Sequence, residues 1–119
     1  MSELKELAKG FVINTTCKIG CSNTIANGKA STAMGNNTQA NGDYSIAMGN
    51  NNLSAGIASF TEGSGNVASG DYSIALGYGC KAISENSTCI GNHSEASGEF
   101  STAIGPGANS IGTTSLALG

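Results

Sequence analysis

From Ser31 onward the chain counts in fourteens. Ser31, Ser45, Ser59, Ser73, Ser87, Ser101 and Ser115 are each 14 residues apart, and the fifth position from every one of them is Gly, from Gly35 to Gly119. The third position is Ala33, Ala47, Thr61, Ala75, Cys89, Ala103 or Ala117, and a second small pair recurs at positions 10 and 12, as in Ala40 and Gly42. Ser84 is the one departure from Gly at position 12 between Gly42 and Gly112. A period kept without insertion makes each unit one turn of a repeated structure. Fourteen residues are too few for a helical hairpin, a propeller blade or a leucine-rich repeat. They suit one coil of an all-β solenoid with two strands of about five residues, each residue rising about 3.3 Å. The turns are expected at positions 5–8, as in "GNNT" and "GYGC", and after position 12, where Gly or Ser84 is followed by pairs such as "DY", "IA" or "EF". Gly and Asn there tolerate the left-handed backbone of tight turns.

A strand reading "SIAMG" has two unlike faces. Positions 1, 3 and 5 are small and positions 2 and 4 large, so the small set is expected to line the inside, where two closely drawn sheets leave little room for Leu or Met. The expected interior includes Ser31, Ala33, Ser45, Ala47, Ser73, Ala75, Cys89 and Ala103. Outside lies a stripe of Met34, Ile46, Met48, Phe60, Glu62, Ile74, Leu76, Ile90, Ile104, Leu116 and Leu118. Such a stripe exceeds the apolar patch a monomer usually shows, so the rod is expected to associate through it, as a dimer face to face or as a trimer about an axis.

Composition narrows the partners. Five Lys and Arg against eight Asp and Glu give a net charge of −3 and no basic stripe for phosphates, which excludes nucleic acid. "MSELKELAKG" lacks the apolar centre of a signal peptide, and no apolar run approaches membrane-spanning length. The chain stops partway through a repeat, so it is expected to be a piece of a longer fibre.

The S-x-A-x-G motif with its second A-x-G corner, repeated over about residues 17–119, resembles the head repeats of trimeric autotransporter adhesins of the YadA type. The resemblance implies a single-stranded left-handed parallel β-roll and a homotrimer in which the large residues meet at the axis. It also implies a non-enzymatic head that attaches to a host surface protein, matrix protein or glycan. Localisation follows as cell surface, extracellular or virion surface, since similar repeats occur in phage and viral fibres. Residues 1–30 are expected to be a cap with degenerate coils, Met1 to Lys9 forming one or two helical turns, and residues 31–119 the regular repeats.

Several residues stand outside the pattern. Glu62 replaces Met, Leu or Ile at position 4 and in a trimer would place three carboxylates together, as a solvated polar layer or a cation site. Cys17 and Cys21 are too far apart along a strand to bridge; Cys80 falls in a turn and Cys89 at a small interior position, so free thiols are expected. Free thiols suit a virion component assembled in a reducing compartment. His93 lies in a turn with no nucleophile or base assigned beside it, so no catalytic residue, metal site or cofactor is expected. Sequons at Asn14, Asn36, Asn52, Asn86 and Asn92 are read as chance products of an Asn- and Ser-rich chain. Ligand contacts are expected at positions 9, 11 and 13 and in the turns at 6–8. Structural fibre modules and ice binding are the alternatives; Thr32, Thr88 and Thr102 share position 2 but are interrupted by Ile46, Phe60, Ile74 and Leu116, which denies ice a continuous Thr rank.

Overall fold

The computed structural model describes residues 17–119; Met1 to Lys9 and Asn14 lie outside them, as do the side chains of Cys17 and Cys21. Two parallel sheets face each other. The first has eight strands: β1 (Cys17–Ser22), β3 (Thr32–Asn36), β5 (Ile46–Asn50), β7 (Phe60–Ser64), β9 (Ile74–Tyr78), β11 (Thr88–Asn92), β13 (Thr102–Ile104) and β15 (Leu116–Leu118). The second has seven: β2 (Ile25–Ala26), β4 (Gln39–Ala40), β6 (Leu53–Ser54), β8 (Val67–Ala68), β10 (Lys81–Ala82), β12 (Glu95–Ala96) and β14 (Asn109–Ser110). The chain alternates between sheets, so each strand pairs with the one a full coil away, and from β3 to β15 the register is residue i against i+14. At β1 the register opens at 15, Cys17 against Thr32, and returns to 14 at Ser22 through a bulge after Gly20. The second strand is two residues long rather than the expected five, because the chain leaves the ladder after position 10 to begin the second corner.

Ala33, Ala47, Ala75, Cys89 and Ala103, with Ser31, Ser45 and Ser73, are buried between the sheets. So are Ala40, Ala68, Ala82 and Ala96 from the second sheet. Side chains this small let two sheets approach far more closely than the usual ~10 Å of face-to-face packing. The roll therefore gains little from apolar burial per residue and depends on its inter-coil hydrogen bonds. Buried hydroxyls join in: Ser45, Ser73 and Ser87 each donate to the carbonyl three residues earlier, at 2.6, 2.5 and 2.6 Å. Ser73→Ala is expected to cost about 1 kcal/mol, since the Gly70 carbonyl keeps the Ser73 amide as a partner; a urea midpoint comparison measures it.

Two expectations are corrected here. Position 5 is not interior: Gly49, Gly63 and Gly77 are exposed with φ of 115°, 116° and 128°, and a Cβ on Gly49 would lie 2.1 Å from the Gly63 carbonyl oxygen. Glycine stands there because stacked backbones touch, and not to fill the core. Position 8 is not a turn surface: Thr24, Thr38, Asn52, Asn66, Cys80 and Ser94 are all fully buried. The turn is finished by position 7, where Asn37, Asn51, Gly65, Gly79 and His93 take positive φ, and the next side chain points inward.

Candidate functional site

The outer face of the eight-stranded sheet carries two ranks of side chains. Register places Met34, Met48, Glu62, Leu76, Ile90, Ile104 and Leu118 in one, each against the next. Thr32, Ile46, Phe60, Ile74, Thr88, Thr102 and Leu116 form the other. Neighbours along a rank are about 4.8 Å apart. Ile46, Ile90 and Ile104 are 37–38% exposed and Leu116 and Leu118 more so, whereas Met34, Met48, Phe60, Ile74 and Leu76 are half-buried by each other. Glu62 is exposed in the middle of its rank, with Met48 on one side and Leu76 on the other. The seven-stranded sheet offers no such face: its outer rank pairs only Leu53 with Val67, between Gln39 and Lys81, and the exposed Ile83 and Ile111 beside it are separated by Ser97.

Behind that face runs a polar tier that the sequence reading missed. The Asn66 amide nitrogen accepts nothing and donates twice, to the carbonyls of Glu62 and Gly77, both at 2.8 Å. Its Oδ1 accepts the Cys80 N–H at 2.9 Å, while its own N–H donates to Asn52 Oδ1 at 2.9 Å. Asn52 repeats the arrangement one coil earlier, donating to Met48 and, at 2.9 Å, to Gly63. Thr24, Cys80 and Ser94 reach the corresponding glycine carbonyls of Gly35, Gly91 and Gly105. In every coil from Thr24 to Ser94 but that of Thr38, whose buried hydroxyl has no partner among the described residues, the tier thus ties position 8 to the following coil and fixes the plane from which the apolar ranks project. Its sequence signal was alternation: positions 8, 10 and 12 are all small or short and polar, while 9 and 11 vary. Burial of Asn52 also closes its sequon in the folded chain.

Cys80 and Cys89 are free and buried. Burial, followed by the neighbouring Cys80 thiol, pushes the Cys89 thiol from 9.0 up to about 12. The unfolded thiol ionises near 9.0 and the folded one does not until about 12, so its contribution to stability is complete below pH 9 and is lost as pH rises toward 12. In that window the wild type is expected to lose up to about 1.4 kcal/mol per pH unit more than Cys89→Ala, measured by urea unfolding between pH 8 and 11. His93 packs edge-on against Tyr78, ring centroids 5.1 Å apart. Among the described residues no group of three or more His, Cys, Asp or Glu converges to hold a metal, and no helix is long and apolar enough to cross a membrane.

The repeat geometry now meets known proteins. A family model described as the YadA head domain repeat (2 copies) matches residues 26–52, 63–79 and 82–108, more than half of the chain. The chain belongs to the YadA head family. No curated protein matches it. Among solved structures, the collagen-binding domain of the Yersinia adhesin YadA is similar at 22% identity, over 88% of this chain and 80% of that one, with a TM-score of 0.35. Membership makes this YadA head a domain of the adhesive, structural kind, and the solenoid of 14-residue coils is its observed form.

Proposed function

We propose that this YadA head acts as a homotrimer, three solenoids packed through the two apolar ranks, and that the assembled rod attaches to a host cell surface or extracellular matrix without enzymatic chemistry. The observation that carries the assembly is the continuous face of Ile46, Phe60, Ile74, Leu76, Ile90 and Ile104 on one sheet, unmatched on the other. Each 100 Å² of that face removed from water contributes about 2.5 kcal/mol before the cost of association. Trimeric presentation multiplies weak contacts by avidity. The degenerate coil of residues 17–30, with its bulge near Gly20, closes its end of the stack in this reading, and residues 1–16 of the expected cap lie outside the described residues.

Sedimentation and native mass are expected to give three chains. Glu62→Leu is expected to raise the trimer's melting temperature by several degrees, because a carboxylate beside Met48 and Leu76 interrupts the apolar contact; a bound cation at that layer predicts the reverse. A monomer under native conditions overturns the assembly, and a head that fails to coat-bind any cell or matrix preparation overturns adhesion. A fibre module of a virus or phage is the second reading, favoured by Cys80 and Cys89 remaining as buried thiols.

A further inference from the structure

The corner after position 12 carries a second ordered surface. Its last residue, position 14, is Tyr44, Ala58, Tyr72, Asn86, Phe100 and Thr114 in successive coils. All six have φ between 54° and 61°, and each amide from Tyr44 to Thr114 donates to the position-13 carbonyl of the preceding coil, as in Tyr72 to Ile57 at 2.7 Å. The left-handed conformation is unfavourable for a bulky residue, and Asn86 shows that a short polar one fills the same place. Yet alternate coils bear aromatic rings. Tyr44, Tyr72 and Phe100 are 53, 56 and 55% exposed, so each ring keeps more than half of its surface open to solvent and adds little to the interior. The small residues Ala58 and Asn86 separate them, so each ring stands clear of the next.

Two features say what such a rank can hold. The ring-bearing positions are two coils apart along the stack, about 9.6 Å, close to but slightly shorter than the repeat of two sugars in a flat, extended β-linked chain. Each ring is preceded by an acid, Asp43, Asp71 and Glu99, and the Asp43 and Asp71 side chains are held in place by accepting the Lys29 and Ile57 amides, both at 2.9 Å. An aromatic face beside a fixed carboxylate pairs with the C–H face and the hydroxyls of a pyranose, and the acids repel sulfated or carboxylated glycans. We propose that this corner binds an extended, uncharged β-linked polysaccharide, with Tyr44, Tyr72 and Phe100 stacking on every second sugar. The proposal rests on the reading of the chain as an adhesive module and names its ligand class; it does not depend on the trimer.

Calorimetric titration of the full chain with cellohexaose and chitohexaose tests it. At least one hexaose is expected to bind, at least tenfold tighter than its disaccharide, while helical maltohexaose does not bind. Tyr72→Ser is expected to weaken the hexaose at least tenfold, Asn86→Ser in the same rank less than twofold, and Phe100→Tyr to preserve binding. Absence of binding by both hexaoses overturns the proposal, as does Tyr72→Ser that binds like the wild type or that changes the native mass, which would make the rings a subunit contact. Retained attachment to matrix protein by Tyr72→Ser, with no hexaose bound by the wild type, sinks the glycan site and leaves adhesion standing. Loss of attachment to every cell and matrix preparation sinks adhesion itself.

Discussion

Ile46→Asp is expected to sediment as a single chain with unchanged β-sheet content. In the isolated coil Ile46 already faces outward, 38% exposed, and its backbone pairs with Thr32 and Phe60 whatever the side chain. An aspartate there costs the solenoid almost nothing. In the packed assembly three carboxylates would enter an apolar seam without counter-charges, at several kcal/mol each, while the isoleucine's own contribution of about 1.5–3 kcal/mol per chain is lost. The two terms together oppose association by several kcal/mol per chain. Sedimentation velocity with far-UV circular dichroism separates the outcomes: a trimer that survives Ile46→Asp shows that the ranks are not the seam, and a collapse of β signal shows that the coil cannot stand alone.

Asn66→Ala is expected to destabilise the fold by about 3–5 kcal/mol. Removing that amide leaves the buried Cys80 N–H without its acceptor and takes a donor from the part-buried Glu62 and Gly77 carbonyls. It also opens a cavity that alanine neighbours cannot fill. Asn66→Ser should cost less than half as much, because Ser94 stands at the same place two coils on and reaches the Gly105 carbonyl. Denaturant melts of both variants decide it; an alanine loss below about 1 kcal/mol would mean that water replaces the amide.

These cases show which parts of the molecule could be read in advance. The long strand was legible because Ser45, Ala47, Ile46 and Met48 differ in size at a spacing of two, and size alone assigns their faces. Family membership followed from the same letters. Asn66 and Asn52 were not legible, because asparagine after Gly65 or Asn51 suits a turn as well as a buried ladder, and only the position of the Gly63 and Gly77 carbonyls distinguishes the two. Cys80 was misplaced for the same reason. The glycines of position 5 looked like interior filler because they are small, but smallness there answers a backbone contact between coils. The aromatic rank was visible as "DY" and "EF", but its shared left-handed backbone depends on a hydrogen-bonded corner that no spacing reveals.

The offset of 14 between paired residues from β3 to β15 has a hereditary consequence. A coil touches only the coils before and after it, so unequal exchange that copies or drops one coil's worth of coding sequence lengthens or shortens the rod and leaves its cross-section unchanged. The corner obeys a stricter rule. Insertion of a single coil puts two rings side by side or two gaps side by side, whereas insertion of a pair keeps the beat. Lineages of this head can therefore grow freely in steps of one coil as a spacer, and only in steps of two as a surface with a fixed interval.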